Sequence, residues 1–515
     1  MKTSPIARRV KTFAASWAFL AVVATLWALA TPIGAAPDEP AHLIKAASVV
    51  RGEFIGERVP GGNMVRVPEY IAFSFDQTCY AFHPDVSADC MKAVPGDTDR
   101  TVDARTTAGL YNPLYYALIG WPSLLFGDSS GILAMRIVSA ILETLFFAIS
   151  FALISSWHRA TIPLVGFAVA VTPMTLFLAG TVNPNSLEIS ATVAAFVGLW
   201  TVLRSASSNA MPLHLSIVFV AASIAANMRG LSLLWLALAL GTPLLASKRD
   251  ALRSLWRQRG TRLAVAGIVI TAAAAAAWVI STNSLGAATS EPGAVSNVPG
   301  AGSSPWSGFV WTLSSTFEYA KGIVGVFGWL DTPAPDFVYF CWAALAGGLL
   351  IVCATVLRGR AALPTLALGS GVLLLPAILQ AYYIHAGGII WQGRYILPLF
   401  VCLTVAAGIA LSEVVPVNRR LSMRIFASVL ALWGLAQFAS FATALKRYAV
   451  GADADWAALL HPNWVPPLGI GVLLGCFAAL IALGIVAFLL WWRADRGGLA
   501  TPEPLDENYA DVTRQ

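Results

Sequence analysis

The sequence predicts an all-α polytopic membrane protein with about twelve transmembrane helices. Of its 515 residues, 57% are hydrophobic and only 12% are charged, whereas a soluble protein carries about 25% charged residues. Long apolar segments recur along the chain, and most are close to the ~20 residues that a helix needs to cross a bilayer. The 18 tryptophans suit the aromatic belts at the two membrane interfaces.

The first apolar segment, residues 13–30, follows a short basic amino terminus at 1–12 that we expect in the cytoplasm. Residues 34–36 (Gly-Ala-Ala) resemble a signal-peptidase site, so cleavage is the alternative interpretation. The apolar run is, however, longer than the usual ~7–15 residues of a signal peptide. We therefore predict one transmembrane domain over residues 13–492 and a disordered cytoplasmic tail at 493–515.

Two segments are too polar for lipid and are predicted to be external loops. The first, residues 33–128, is large and is expected to carry amphipathic helices, one of which begins at Asp38. The second, residues 283–336, contains a mobile Gly/Ser/Pro-rich part at 287–305, followed by an interfacial or re-entrant segment.

Eleven further apolar segments follow the first one. We place these spans at residues 129–156, 161–180, 186–204, 213–227, 230–247, 263–282, 337–357, 362–383, 394–413, 421–445 and 468–492. The two shortest, 213–227 and 230–247, are the least secure, and one of them could be re-entrant.

The charge distribution predicts the orientation in the membrane. With the amino terminus inside, the basic run at 248–262 and most other Lys and Arg clusters fall in cytoplasmic loops. The positive-inside rule favours this arrangement. It predicts a plasma (inner) membrane protein with both termini in the cytoplasm and with Asp38 and Glu39 on the external, periplasmic face.

Asp38 and Glu39 are the strongest candidates for chemistry. Adjacent carboxylates directly after a membrane span lie where the headgroup of a lipid-borne substrate would lie. Transfer of a sugar from a lipid phosphate needs a base for the acceptor hydroxyl and cations for the departing phosphate. The simpler interpretation is that Asp38 caps the next helix and Glu39 stabilises its amino-terminal dipole.

Three cations are predicted to bind the donor phosphate. Arg394 lies at the outer entry of a span, after Gly393, and its forked guanidinium suits a phosphate. The alternative is a snorkelling interfacial arginine. Arg229 and Lys321 are the second and third candidates. Arg136 lies about two turns inside a span, where an ion pair with Glu143 is the structural interpretation.

Further polar and aromatic side chains near these motifs are predicted to contact the substrate. They are His42, Tyr111, Asn112, Asn183, Asp331, Gln392 and Tyr395. For Asp331 and Asn183, a helix cap and a turn are the simpler interpretations. Cys79 and Cys90 lie together in the first loop and form a candidate disulfide, with two free thiols as the alternative.

The sequence does not assign a cofactor with certainty. Asp38, Glu39 and His42 offer ligands for Mg²⁺ or Mn²⁺, but no metal-binding spacing supports them. The sequence contains neither a Walker loop nor a dinucleotide fingerprint, which argues against a nucleotide-sugar donor. It also lacks a basic stripe interleaved with aromatic residues, so nucleic acid is not an expected partner.

Five motifs, taken in order, resemble a bacterial family of multi-pass membrane proteins of unknown function that is grouped near the GT-C glycosyltransferases. They are Pro-Asp-Glu-Pro-Ala-His at 37–42, Tyr-Asn-Pro-Leu-Tyr-Tyr at 111–116, Asn-Pro-Asn at 183–185, Phe-Gly-Trp-Leu-Asp-Thr at 327–332 and Gln-Gly-Arg-Tyr-Ile-Leu-Pro at 392–398. The similarity covers residues 12–492.

The wider superfamily includes protein O-mannosyltransferases and lipid A aminoarabinose transferases. The resemblance therefore implies a GT-C-like fold, a polyprenyl-phosphate sugar donor and an inverting reaction on the outer face. It also implies an acidic motif in the first external loop, which corresponds here to Asp38 and Glu39. The arginine of the last motif corresponds to Arg394.

The resulting prediction is a membrane glycosyltransferase that uses a cell-envelope glycan or lipid as acceptor. A transporter or flippase of lipid-linked saccharides is the main alternative, and it would place several charges near the membrane midplane. The predicted spans are almost free of charge except for Arg136, Glu143 and Glu188, which favours the enzyme. A non-catalytic assembly protein is the second alternative, and it would tolerate Asp38→Asn.

Overall fold

A computed structural model describes residues 5–94, 100–204, 209–286 and 298–495. Its helices in the first half of the chain are α1 (Pro5–Ala30), α2 (Glu39–Val49), α3 (Glu69–Ala72), α4 (Leu114–Ile119), α5 (Ser129–Ser155), α6 (Thr161–Ala170), α7 (Pro173–Ala179), α8 (Pro184–Arg204), α9 (Met211–Ala226) and α10 (Ser232–Ala246). The helices that follow are α11 (Arg249–Arg257), α12 (Arg259–Thr282), α13 (Pro305–Ser314), α14 (Thr316–Val324), α15 (Asp336–Trp342), α16 (Gly348–Val356), α17 (Leu363–Gly387), α18 (Leu397–Val414), α19 (Arg419–Val450) and α20 (Ile470–Asp495). Most of the predicted tail and of the predicted mobile loop falls outside the described residues.

The predicted all-α polytopic class is confirmed, and each predicted apolar segment is helical. In the described ranges, nine helices are long and apolar enough to span a membrane, and the pair α6–α7, bent by 63°, makes a tenth. The other two segments, α9 and α10, have 16 and 15 residues. They are shorter than the ~20 residues of an ordinary span.

The helices run between two ends of the bundle. We call one the Asp38 end, where Asp38 follows α1 and Gly393 precedes α18. The other is the opposite end, where Arg204 ends α8. Hydrogen bonds fix one terminus of each short helix. Arg360 donates a hydrogen bond to the carbonyl of Ser247 after α10 at 3.2 Å, while Asn227 after α9 accepts one from Asn112 at 3.0 Å.

Basic residues that the charge pattern assigns to cytoplasmic loops meet at the opposite end. Arg159 donates to the carbonyls of Ser412 and Glu413 at 3.1 and 2.8 Å. Arg204 forms an ion pair with the Glu413 carboxylate. The alternation of spans that the sequence predicts therefore agrees with the contacts at this end.

The bundle has a protein-covered centre and a lipid-facing periphery. In their most apolar windows, α8 and the segment of α18 are each 94% buried, whereas α12 and α20 are 6% and 17% buried. In a membrane protein, such exposed apolar helices face acyl chains. Residues on α8 and α18 are therefore best placed to fix the geometry of the helix ends around them.

The first external loop folds into a compact cap that contains an unpredicted sheet. Strands β1 (Glu57–Val59), β2 (Gly62–Pro68) and β3 (Thr101–Thr106) form an antiparallel sheet in the order β1-β2-β3. Along β2, exposed Arg66 lies between buried Val65 and Val67, which is the alternation of a sheet with one covered face.

The helix predicted to be amphipathic after Asp38 is α2, and it has no exposed face, because each of its residues is buried. Its apolar side chains pack into one cluster with β2 and α4 rather than against lipid. The Thr106 hydroxyl also donates to the carbonyl of Ala41 at 2.7 Å. Coverage by the sheet explains why a helix that looks amphipathic in sequence is enclosed on its polar face as well.

The second external loop contains the short helices α13 and α14 and a small hairpin of β4 (Val326–Phe327) and β5 (Thr332–Pro333). Helix α14 packs closely on the turn before α18. A Cβ atom on Gly393 would lie 2.0 Å from the carbonyl oxygen of Tyr319. Glycine is therefore needed at 393 for this helix contact.

Candidate functional site

Asp38 lies between α1 and α2 in a backbone conformation that is rare for a residue with a side chain. Its φ is +63°, in the left-handed region. The carboxylate makes no capping hydrogen bond to α2, so the capping interpretation is wrong for Asp38. Instead, Oδ2 accepts a hydrogen bond from Nη2 of Arg394 at 2.9 Å.

The Asp38 carboxylate faces water although it is surrounded by protein. Its side chain is 49% exposed, while that of its partner Arg394 is 2% exposed, and the neighbouring Glu39 and His42 are buried. Burial on its own would raise the pKa of Asp38, but the charges of Arg394 and Arg229 hold it below the usual value. Asp38 is therefore an ionised carboxylate that is accessible to solvent.

Arg394 is held by a short turn, Gly393–Ile396, at the start of α18. Its Nε donates to Oε1 of Gln392 at 2.6 Å, and its guanidinium lies 5.1 Å from the ring centre of Tyr395. Because this side chain is almost fully buried, the snorkelling interpretation is wrong. In the part of the chain that the structure describes, Nη1 makes no hydrogen bond, which leaves a donor for a ligand.

Arg229, between α9 and α10, brings a second cation to the same aromatic ring. Its guanidinium lies 4.6 Å from the ring centre of Tyr395, and it interacts with the hydroxyl of Tyr111. Glu188 supports it from α8, because Ser232 donates to Glu188 at 2.5 Å and accepts from the Arg229 amide at 2.9 Å. Two arginines thus converge on one tyrosine beside an exposed carboxylate.

His42 and two tyrosines pack next to this cluster. Nδ1 of His42 lies 2.9 Å from the hydroxyl of Tyr116, and its ring centre is 5.7 Å from that of Tyr111. Burial, which outweighs the opposing effect of Asp38, lowers the pKa of His42 to about 3. His42 is therefore neutral and contributes shape and hydrogen bonding rather than charge.

Glu39 is fully buried and pairs with a different arginine from that of Asp38. Its two oxygens accept hydrogen bonds from Nε and Nη2 of Arg136 at 2.7 and 2.5 Å, and Oε1 also accepts from the amide of Val182 at 3.0 Å. The ion pair expected between Arg136 and Glu143 is therefore wrong. Glu143 accepts instead from Ser139 of its own helix at 2.9 Å.

The three residues that the sequence offers as metal ligands point to different partners. Asp38 pairs with Arg394, Glu39 with Arg136, and His42 with Tyr116. Among the described residues, no group of three His, Cys, Asp or Glu side chains is arranged to hold a metal ion. The two carboxylates thus each pair with a buried arginine, Arg394 or Arg136.

Two of the predicted amides help to fix the site. Asn183 donates to the carbonyl of Pro37 at 3.1 Å, directly before Asp38. Asn112 donates to Asn227 at 3.0 Å, two residues before Arg229. These amides therefore tie the two loops that carry Asp38 and Arg229 to neighbouring elements.

Two other predicted residues have different partners. Lys321 forms an exposed ion pair with Glu318 at 3.0 Å. Asp331 pairs with Arg447 at 3.2 Å, and both side chains are buried. The structure thus does not bring Lys321 or Asp331 into contact with Asp38 or Arg394.

Arg447 is a structural residue that the sequence does not single out. From the end of α19, it donates to the carbonyls of Tyr80 and Val86 at 2.8 and 2.7 Å, and Asp331 in turn accepts from the amide of Phe82 at 2.9 Å. Cys79 and Cys90 form a disulfide in the same part of the loop. In the sequence, the local signal for Arg447 is that α19 continues beyond its apolar run.

The bundle and the charged cluster define a polytopic helical membrane protein with a polar site at one end. The chain belongs to the DUF2142 family, because the family model, described as a predicted membrane protein (DUF2142), matches residues 20–403. The apo crystal structure of ArnT from Cupriavidus metallidurans is similar, with 14% identity and a TM-score of 0.45, over 96% of this chain and 78% of that one. No curated protein matches the chain.

Proposed function

We propose that this protein is an inverting glycosyltransferase that moves a sugar from a polyprenyl-phosphate donor to an envelope glycan or lipid. One observation carries the proposal: an ionised, half-exposed carboxylate, Asp38, lies 2.9 Å from the buried fork of Arg394. A second cation, Arg229, shares the Tyr395 ring with it. A base next to two phosphate-binding cations is the minimum that this reaction needs.

In the proposed reaction, Asp38 takes the proton from an acceptor hydroxyl while the oxygen of that hydroxyl attacks the anomeric carbon of the donor sugar. The bond between that carbon and the phosphate oxygen breaks on the opposite face of the sugar, so the configuration inverts. The electron pair leaves with polyprenyl phosphate, whose growing charge Arg394 and Arg229 stabilise. The donor phosphate also competes with Asp38 for Arg394, which weakens the ion pair and makes Asp38 a stronger base.

The acceptor side of the cleft is proposed to include the hairpin of β4 and β5 and the loop around Phe82. Phe82 is 67% exposed, and its φ is +62°. Its ring centre lies 5.5 Å from that of Trp329, whose indole donates to the carbonyl of Gly34 at 2.9 Å. Strained positions persist where the surroundings fix them and often serve function. An exposed aromatic ring at such a position, here Phe82, suits the apolar face of a sugar.

The proposed location is the plasma membrane, with both termini in the cytoplasm and the Asp38 end outside. Basic loops cluster at the opposite end, as the positive-inside rule requires of a cytoplasmic face. The disulfide between Cys79 and Cys90 at the Asp38 end supports an oxidising compartment there. Sugar donors carried by polyprenyl phosphate in the outer leaflet would reach the site laterally.

The test uses purified protein in lipid nanodiscs with a panel of polyprenyl-phosphate sugars and measures the release of free polyprenyl phosphate. We expect one donor to be turned over by the wild type and not by Asp38→Asn. Asp103→Asn is the matched control, because Asp103 is an exposed carboxylate of the same loop, 71% accessible. Binding without turnover, unchanged in Asp38→Asn, would instead favour a transporter or an assembly protein.

A further inference from the structure

An apolar groove lies at the opposite end of the bundle, far along the helices from Asp38. It has a volume of about 510 Å³ and is formed by α1, α6, α19 and α20, with Phe151 contributed by α5. Phe167, Phe426 and Trp433 form part of its wall, and each is buried. The proposed transferase site uses none of these residues.

The length of the groove matches the hydrocarbon thickness of one membrane leaflet. Its contacts on α1 run along one helix face from Arg8 to Leu20. Twelve residues of helix span about 18 Å, which is close to half of the ~30 Å hydrocarbon core. A hydrocarbon chain fits the length and the volume of this groove.

Charge is confined to the mouth of the groove. Arg8 and Lys11 line it at its outer end, and both are exposed. Among the described residues that line the groove, none is acidic. The inner wall is closely fitted, because a Cβ atom on Gly484 would lie 2.3 Å from the ring of Phe19. A ligand with an anionic head and an apolar tail is complementary to this arrangement.

We infer that this groove binds an anionic phospholipid from the leaflet at the opposite end. Arg8 and Lys11 hold the phosphate headgroup, and one acyl chain fills the apolar channel between α1 and α20. The phosphate of a polyprenyl donor would lie at the other end of the bundle, beside Arg394. The inference therefore does not depend on the proposed transferase activity.

The test is native mass spectrometry of the full-length protein with added phosphatidylglycerol or phosphatidylcholine of identical acyl chains. Two basic side chains at a headgroup account for roughly a thirtyfold preference for the anionic lipid. We expect this preference in the wild type and its loss in the double variant Arg8→Ala, Lys11→Ala. Arg9→Ala is the matched control, because Arg9 lies near His214 of α9 and not in the groove.

A second variant tests binding of the acyl chain separately from binding of the headgroup. Ala168 lines the groove on α6, and Ala168→Phe should reduce retention of both lipids while Arg8 and Lys11 remain. Equal retention of the two lipids by the wild type would overturn the inference, as would an equal loss in Arg9→Ala. Displacement of phosphatidylglycerol by polyprenyl phosphate at equal concentration would identify the groove as a prenyl-chain site and would also overturn it.

Discussion

Glu39→Gln should destabilise the protein far more than Asp38→Asn, although the two carboxylates are adjacent. Glu39 is fully buried and pairs with Arg136, whose side chain is 2% exposed. The substitution keeps the shape of the side chain but leaves the Arg136 cation with only neutral partners. Breaking a buried ion pair by neutralising one partner costs about 3–5 kcal/mol.

Neutral partners cannot replace the lost charge. Arg136 donates to the carbonyls of Ala28, Thr31 and Pro32 at 3.1, 2.6 and 2.7 Å. These bonds occupy Nη1 and part of Nη2 but carry no net charge, and Nε donates to Glu39. Asp38 differs because 49% of its side chain is exposed, so water partly screens its ion pair and Asp38→Asn should cost less than Glu39→Gln.

Reversible unfolding in mixed detergent micelles, followed by tryptophan fluorescence, measures both free energies of unfolding. A second control is the double variant Glu39→Gln, Arg136→Gln, which removes both buried charges and should recover part of the loss. If Glu39→Gln unfolds at the wild-type denaturant concentration, or if both single variants cost the same, the assignment of Glu39 to a structural ion pair is refuted.

Three further predictions concern other charged groups. Arg394→Lys keeps the charge but loses the fork, so donor turnover in nanodiscs should fall about 10²- to 10³-fold; wild-type rates would contradict a phosphate role. Lys321→Ala should change the donor KM by less than about twofold, because the exposed pair with Glu318 contributes little; a larger change would place Lys321 at the phosphate. Burial lowers the pKa of Lys45 to about 8 from 10.5, so the unfolded state binds more protons between these values and the free energy of unfolding should rise with pH there. Lys45→Met should abolish that rise. An identical pH profile in the variant would contradict the assignment of this pH dependence to Lys45.

The helices could be predicted because their signal is local. A stretch of apolar residues needs lipid or a protein interior, whatever the rest of the chain does, and each predicted segment is helical. The sheet cannot be predicted because β1 has three residues and lies in a polar loop, where alternation over so short a run carries little information. The burial of α2 depends on that sheet and could not be predicted without it.

The members of the charged cluster could be predicted in part, but their pairing could not. The sequence indicates Asp38 and Arg394 because each lies at the end of a span, yet they are 356 residues apart in sequence. It also indicates Lys321 and Asp331 in the second external loop, which the fold pairs with Glu318 and Arg447 instead. Which charged ends meet depends on helix packing, and a single sequence does not contain that information in local form.

The contrast between the two adjacent carboxylates explains how a strained residue can be held at the site. A left-handed conformation at Asp38 costs of order 1–3 kcal/mol, yet it turns the side chain away from α2 and toward Arg394. The buried pair of Glu39 and Arg136 begins at the next residue and fixes the chain direction on that side. Asn183, bonded to the carbonyl of Pro37, fixes it on the other. Asparagine tolerates the left-handed region, so Asp38→Asn removes the charge while the backbone that presents it stays in place.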